Sequence, residues 1–245
     1  MIARKQLNYA IARLFRGKAF IVFGPRQTGK TTFVEQLLAK VNKRTLYLNG
    51  DDADVRENLA KPNAAQIAQM LGNYEVLFID EAQRINEIGL LIKIIVDRYK
   101  NVQVIATGSS AFELSGKINE PLTGRKYEMM LLPFSYAELV DDTDFLTEER
   151  SIEQRLIYGS YPEVINDPQH AEEHLKLLAD SYLYKDLFAL EDVKKPLLFE
   201  KIVKALALQI GSEVNFSELS MLVKADQKTI EKYIGLLEKA FVVFT

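Results

Sequence analysis

A glycine-rich segment directly follows the apolar run 19–23 and ends in a lysine and two threonines: Gly24, Pro25, Arg26, Gln27, Thr28, Gly29, Lys30, Thr31 and Thr32. Glycines allow consecutive backbone N–H groups to turn towards one anion, a lysine adds positive charge, and a hydroxyl supplies a Mg²⁺ ligand. The spacing G-x-x-x-x-G-K-T provides all three. It predicts that these nine residues hold the phosphates of a nucleotide, with Lys30 at the β- and γ-phosphates and Thr31 at the metal.

The residues on either side give this loop the context that phosphate binding requires. An apolar strand leads into it, and residues 31–38 continue with helical spacing. A helix that begins at the loop places its positive end beside the phosphates. A glycine turn without a ligand would not need both flanking elements.

Two adjacent carboxylates, Asp80 and Glu81, follow four apolar residues. This pattern indicates a buried parallel strand with its acidic residues at the C-terminal edge, where α/β sheets bind ligands. Asp80 can hold the Mg²⁺ that Thr31 also contacts, and Glu81 can polarise an attacking water as a general base. The alternative is a pair of solvated acids that ends a strand.

A later predicted strand, residues 102–107, ends in Thr107, which is followed by Gly108, Ser109 and Ser110. Thr107 suits a position between the loop strand and the Asp80 strand, where its side chain faces the γ-phosphate. In nucleoside kinases and GTPase-type proteins the two strands are neighbours, and a glutamate after the aspartate is usually missing. Glu81 and the extra strand therefore favour a hydrolase in which Thr107 takes part in catalysis.

Arg125 stands just ahead of the fifth predicted strand, in the sequence Thr123, Gly124, Arg125. An arginine there can stabilise charge on the γ-phosphate, as an arginine finger or an arginine sensor. An ordinary surface arginine explains it equally well.

The elements that position these residues follow from apolar patterning. Strands are predicted at 19–23, 44–49, 74–81, 102–107 and 129–132, with helices at 7–14, 31–38 and 88–99. This alternation predicts an α/β fold, a P-loop NTPase three-layer sandwich with a five-stranded parallel sheet. Ser135 and Glu138 form a capping box that begins another helix.

Only helical periodicity follows the sheet. Helices are predicted at 148–158, 169–184 and 197–210, and residues 215–237 contain two short amphipathic helices around a turn of three or four residues. That spacing is typical of a helix-turn-helix, after which 241–245 should begin a wing strand. The predicted domains are a P-loop core (1–145), a helical lid (146–194) and a winged helix truncated in its wing (195–245).

The bulk composition limits the class of protein. The 245 residues are 48% hydrophobic, enough for one large domain or two small ones. A net charge of −3 favours neither nucleic acid nor an anionic membrane as partner. The sequence has no cysteine, which excludes disulfides and thiol catalysis and fits a reducing compartment. With a polar start and no apolar run of spanning length, we expect a cytoplasmic protein without a membrane partner.

Six ordered motifs resemble a known family. They are Gly-Pro-Arg-Gln-Thr-Gly-Lys-Thr-Thr (24–32), Phe-Ile-Asp-Glu-Ala-Gln (78–83), Thr-Gly-Ser-Ser (107–110), Gly-Arg (124–125), Leu-Pro-Phe-Ser-Tyr-Ala-Glu-Leu (132–139) and Tyr-Gly-Ser-Tyr-Pro-Glu-Val (158–164). Together they look like the prokaryotic AAA+-type ATPases that carry a C-terminal restriction-endonuclease-like domain of unknown function. Such proteins normally continue well past the winged helix, so we expect that domain to be absent here.

The resemblance implies an AAA+-like core, a helical lid and a winged helix, with ATP and Mg²⁺ as cofactors. It implies the following roles: Lys30 and Thr31 on phosphate and Mg²⁺, Asp80 on Mg²⁺, Glu81 as base and Thr107 as the nucleotide sensor. Tyr161 and Pro162 resemble the lid segment that packs on the adenine in related signalling ATPases. A preference for ATP over GTP rests on this resemblance, which also permits an oligomer.

The leading hypothesis is an ATPase that converts ATP to ADP and phosphate as a slow conformational switch. A nucleotide-gated DNA-binding regulator is the first alternative, with Gln227, Lys228, Thr229 and Lys232 on the recognition helix. Residues 197–245 contain six lysines and six acidic residues, whereas a DNA reader should show a basic surplus, so a protein partner fits this module at least as well. A small-molecule phosphotransferase is the second alternative, although Glu81 suits water better.

Overall fold

The computed structural model describes residues 2–61, 63–108, 121–180 and 195–244. The chain divides into two compact units, Met1–Ala171 and Glu172–Thr245. The first unit contains the predicted phosphate-binding loop and the acidic pair, and the second contains the predicted helix-turn-helix.

A parallel β-sheet forms the centre of the first unit. Its described strands are β1 Ala19–Phe23, β2 Thr45–Asn49, β3 Val76–Asp80, β4 Gln103–Gly108 and β5 Lys126–Met130. They lie in the order β2-β3-β4-β1-β5, and every neighbouring pair is parallel. The predicted five-stranded parallel sheet is confirmed, and so is the position of β4 between the loop strand and the Asp80 strand.

The fifth strand differs from its predicted range, 129–132. Its backbone pairs with the whole of β1, from Ala19 opposite Lys126 to Phe23 opposite Met130. The strand lies at the edge of the sheet, and of its residues only Met129 is fully buried. Because an edge strand buries fewer side chains than a central one, the apolar run marked only its end.

Helices cover both faces of the sheet. Those described before β5 are α1 Leu7–Ile11, α2 Lys30–Val41, α3 Ala53–Leu59, α4 Ala64–Leu71 and α5 Ile88–Arg98. Successive strand residues point to opposite faces, so Ile21 packs in the same cluster as Ile67 of α4. Its neighbour Phe20 lies in the cluster that contains Phe33 of α2. The predicted three-layer α/β sandwich is therefore confirmed.

Short helices follow the sheet: α6 Tyr136–Asp142, α7 Phe145–Arg150, α8 Ile152–Tyr158, α9 Pro162–Asn166 and α10 Ala171–Ala179. The predicted capping box begins α6, because the side chains of Ser135 and Glu138 each accept a hydrogen bond from the other's backbone N–H. The predicted helix 148–158 is two helices that meet at Ser151, since Asp144 caps an earlier start. Of the predicted helix 169–184, residues 181–184 lie outside the described residues.

The second unit contains α11 Pro196–Leu208, α12 Phe216–Val223 and α13 Gln227–Lys239. Asn215 caps α12 and Asp226 caps α13 through side-chain oxygens, so the predicted helix, three-residue turn and helix are confirmed. None of the described helices, in either unit, is long and apolar enough to cross a membrane.

The predicted start of a wing strand is wrong for the described residues 241–244, which form a turn instead. Phe241 has a positive φ of 58°, and its N–H donates to the Glu238 carbonyl at 2.9 Å. These apolar residues therefore turn back onto the end of α13 rather than extend as a strand. Thr245 lies outside the described residues.

Candidate functional site

The loop of residues 24–29 joins β1 to α2, and its two glycines are required by its shape. A Cβ atom on Gly24 would lie 2.2 Å from the carbonyl oxygen of Leu131, so no side chain fits there. Gly29 caps α2 with a left-handed φ of 83°, a conformation that glycine adopts without strain. The loop therefore ends at the positive end of α2.

Lys30, the first residue of α2, folds back over the loop. Its ammonium group donates to the carbonyl oxygens of Pro25 at 2.7 Å and Gly24 at 3.1 Å. Burial lowers the pKa of Lys30 to about 8, against the opposing effect of the negative charges of Glu81 and Asp80. A buried cation thus lies within the loop predicted to receive phosphates.

Three hydroxyl groups converge on the carboxylate of Asp80, which is 6% exposed. Thr31 donates to Oδ2 at 2.8 Å, Tyr47 reaches the same oxygen at 3.5 Å, and Thr107 donates to Oδ1. Burial, and then the charge of Asp80, raise the pKa of Tyr47 to about 12. The structure therefore brings Thr31, Asp80 and Thr107 together from α2, β3 and β4.

Glu81 turns sharply out of β3, with a left-handed φ of 47°. Its backbone N–H donates to Asp80 Oδ1 and Thr107 Oγ1, each at 3.2 Å. Gln83, 2% exposed, donates from its amide to Glu81 Oε2 at 2.5 Å. Such a backbone conformation is costly for a residue with a side chain and often marks a functional site. The Glu81 carboxylate is therefore held by a buried neighbour at the edge where β3 ends.

A cavity of about 260 Å³ lies beside the loop. Its walls include Arg4, Thr28, Thr32, Phe134 and Pro162. Pro162 comes within 3.9 Å of the point where a Cβ atom on Gly29 would lie. The half-buried Tyr161 precedes it as the cap of α9, and burial raises the pKa of this tyrosine. The predicted adenine-contacting segment is thus next to the phosphate loop.

Arg125 is not brought to this cluster. It precedes β5 at the edge of the sheet where β1 begins, whereas the loop leaves the opposite end of β1. Five strand residues separate the two edges, roughly 15 Å. The Arg125 guanidinium pairs there with Asp97 at 2.8 Å and is 40% exposed. Action of Arg125 on the nucleotide of its own chain has no support from this position.

The remaining predicted residues fall into two groups. Arg26, Gln27 and Thr32 lie in the loop or at the start of α2, and Gln27 has a positive φ of 59°. Ser109 and Ser110, from the motif after β4, lie outside the described residues.

Arg4, Tyr47 and Gln83 contact the site, but sequence reasoning did not single them out. Gln83 stands in the 78–83 motif, so its polar side chain two residues after Glu81 was an available signal. The position of Tyr47 near Asp80 could also have been predicted, since β2 pairs with β3 and places Tyr47 opposite Phe78. Arg4 reaches the loop from 24 residues away, and no local pattern indicates such a contact.

The fold of this chain resembles that of known proteins. The walker-type ATPase PABY2304 of Pyrococcus abyssi superposes with a TM-score of 0.66 over 98% of this chain and 90% of that one, at 15% identity. Uncharacterized proteins of Haemophilus influenzae and Methanocaldococcus jannaschii (MJ1544) are 25% and 24% identical over 91% and 95% of this chain. The chain spans 61% and 57% of the lengths of these two relatives.

Two family descriptions match the chain in succession. Residues 149–245 match a domain of unknown function (DUF8612). Residues 16–140, just over half of the 245, match the AAA domain and include the loop, Asp80, Glu81 and Thr107. The chain therefore belongs to the AAA domain family and has the α/β fold of a P-loop NTPase.

Proposed function

We propose that this chain hydrolyses ATP to ADP and phosphate in the presence of Mg²⁺, and that its nucleotide state sets its conformation as a switch. The observation that carries the proposal is the convergence of Thr31 and Thr107 on Asp80, with Glu81 as the next residue. A phosphate loop alone would support nucleotide binding. The Glu81 carboxylate, held by the Gln83 amide beside Asp80, supports hydrolysis as well.

The loop residues 24–32 bind the phosphates in this proposal. Backbone N–H groups at the start of α2 and the positive end of that helix favour an anion there. Lys30 supplies the compensating charge, and its present contacts with Gly24 and Pro25 keep the ammonium group inside the loop.

The donor set fits Mg²⁺ bound together with a nucleotide. The Thr31 hydroxyl and the Asp80 carboxylate are adjacent hard oxygen ligands, and Mg²⁺ is usually held by one or two protein oxygens together with substrate phosphates. Among the described residues, no group of three or more His, Cys, Asp or Glu side chains forms a cage. When bound, the ion would neutralise charge on the phosphate oxygens.

Glu81 acts as the general base towards water. The Gln83 amide donates to Oε2 of the Glu81 carboxylate and so orients the group that accepts the water proton. Thr107 holds Asp80 from the neighbouring strand and is fully buried. Because Thr107 also accepts from the Glu81 backbone, it connects the proposed metal ligand with the proposed base and suits a sensor role.

The cavity beside the loop is the proposed base site. Pro162 and Phe134 supply apolar and aromatic surface on its walls, and Tyr161 precedes Pro162. The preference for ATP rests on the family resemblance of this segment.

We also propose a division of the chain into three parts, at residues 145 and 194, with a winged helix as the last part. The same holds for membership of the finer family that carries a C-terminal restriction-endonuclease-like domain.

A second function, DNA contact through α13, is favoured by one observation: Gln227, Lys228 and Lys232 are exposed at the start of the second helix of the pair. The exposed acids Asp226 and Glu231 beside them weaken it.

Turnover of ATP and GTP by the purified chain, alone and with duplex DNA, tests the proposal. Lys30→Ala should abolish nucleotide binding and turnover, whereas Lys40→Ala, an exposed position on the same helix, should change neither. At a hundred times its Kd, ATP should stabilise the parent by about 2.7 kcal/mol in a thermal shift assay, and this shift should vanish in Lys30→Ala. An equal shift in Lys30→Ala would contradict the phosphate-loop assignment.

A further inference from the structure

The Arg4 guanidinium connects the phosphate loop to the segment that follows β5. It is 6% exposed and donates to the Thr28 carbonyl at 2.5 Å and to the Leu132 carbonyl at 3.0 Å. It also lies 3.5 Å from Glu138 Oε2 and 4.0 Å from the centre of the Phe134 ring. The motif 132–139, to which no function has yet been assigned, therefore encloses an arginine that contacts the loop.

The Thr28 carbonyl matters because of the peptide bond to which it belongs. The described peptide bonds are trans, so the Thr28 C=O and the Gly29 N–H, which share one rigid plane, point in opposite directions. A donor that holds the carbonyl on one side therefore directs the N–H to the other. Gly29 caps α2 with φ 83°, and it would otherwise allow this plane to rotate.

We propose that Arg4 is a positioning residue that fixes the Thr28–Gly29 peptide plane so that the Gly29 N–H faces the nucleotide phosphates. The proposal rests on nucleotide binding at the loop, as proposed above. It gives the 132–139 segment a function, because Glu138, Leu132 and Phe134 together hold the guanidinium in place.

An arginine is needed at this position because its acceptors lie in different directions. A guanidinium is a planar fork that can donate to several oxygens at once, whereas a lysine ammonium acts as a point charge. A buried cation also needs a negative partner. Glu138 serves as that partner: burial alone would raise its pKa, but the backbone N–H groups of Ser135 and Lys5 and the charge of Arg4 lower it.

The competing explanation is that Arg4 only stabilises the fold or contacts the base, since it also lines the cavity. Inorganic tripolyphosphate separates these roles, because it occupies the phosphate loop without a base or sugar. We therefore compare the Kd of ATP with the Kd of tripolyphosphate by titration calorimetry, both with Mg²⁺. The variants are Arg4→Met, Arg4→Lys and, for rescue by guanidinium ion, Arg4→Ala. The control is Arg13→Met, since Arg13 also lies over a ring and donates to a carbonyl, that of Tyr9.

We expect Arg4→Met to weaken the binding of ATP and of tripolyphosphate by a similar factor of about 10 to 100. This is the range for loss of a hydrogen bond to a charged group. The affinity of Arg4→Lys for both ligands should lie between those of Arg4→Met and the parent, and the affinity of Arg13→Met should equal that of the parent. Millimolar guanidinium ion should restore part of the tripolyphosphate affinity to Arg4→Ala. If Arg4→Met does not fold, the same comparison with Arg4→Lys decides.

Three results would overturn the positioning role. They are unchanged tripolyphosphate affinity in a folded variant, loss of ATP affinity alone, and failure of both Arg4→Met and Arg4→Lys to fold. If the parent chain binds neither ligand, the proposed nucleotide site itself is wrong, which is a distinct outcome.

Discussion

The Thr31 hydroxyl lies 2.8 Å from the Asp80 carboxylate, although 49 residues separate them in the sequence. The first residues of α2 and the end of β3 meet there, because α2 begins at the edge of the sheet where β1 and β3 both end. This contact joins the phosphate loop to the acidic pair.

The two acidic residues should have separable roles. Glu81→Gln should retain binding of ATP with Mg²⁺ and lose turnover by roughly 10²- to 10⁴-fold, the usual contribution of a positioned base. Asp80→Asn should instead weaken the Mg²⁺-dependent part of binding. Equilibrium titration with and without Mg²⁺, together with single-turnover hydrolysis, distinguishes them. Equal loss of binding in both variants would contradict distinct roles for Asp80 and Glu81.

Nucleotide affinity should depend on pH through Lys30. Its pKa in the ligand-free chain is about 8, and bound phosphates should raise it, since they favour the charged form. Lys30 should therefore take up a proton on binding above about pH 8, and affinity should fall by up to tenfold per pH unit there.

Calorimetric titration in two buffers of different ionisation enthalpy measures this proton uptake. Lys30→Arg, which stays charged at these pH values, is the matched control and should show no such uptake. A Kd that stays constant between about pH 7 and 9.5 would exclude Lys30 as the titrating group.

Arg125 is expected to act on a neighbouring chain if it acts at all. Turnover per chain should then rise with protein concentration, and Arg125→Ala should lower it roughly tenfold or more while ATP binding persists. Arg98→Ala, an exposed arginine at the end of α5, is the control. A rate per chain that is flat on dilution and unchanged in Arg125→Ala would leave a surface arginine paired with Asp97. Light scattering with and without nucleotide gives the mass of the particle.

DNA binding by the second unit should be weak. We expect the chain to bind duplex DNA no better than a non-specific ~10⁻⁴ to 10⁻⁶ M at physiological salt. If α13 does contact phosphates, Lys228→Ala with Lys232→Ala should flatten the log–log salt dependence by about one unit per lost contact. The paired control is Lys201→Ala with Lys204→Ala, two exposed lysines of α11. Sub-micromolar, sequence-selective binding would make the regulator the leading function.

The sheet and the residues at its edge could be predicted from the sequence, because each of them follows from a local pattern of residues. Three signals follow one another along the chain: the loop, an apolar run that ends in Asp80, and a later strand that ends in Thr107. This order was sufficient to predict that β4 lies between β1 and β3. Parallel strands then bring Thr31, Asp80 and Thr107 to one edge.

Other features depend on contacts that no local pattern encodes. The range of β5 follows from pairing with β1 and not from its apolar residues. The position of Arg125 also depends on that pairing, which puts the start of β5 at the far edge. Arg4 reaches Thr28 only through the folded chain, and the turn at Phe241 depends on the end of α13.

The contacts of Lys30 with the Gly24 and Pro25 carbonyls make phosphate binding an exchange of partners. An anion that offers the lysine a single contact replaces hydrogen bonds that already exist, so it gains little free energy. A longer polyphosphate also engages the N–H groups of the loop and of the first residues of α2, which the lysine does not occupy. The loop should therefore discriminate against orthophosphate and sulfate before any contact with a base is made.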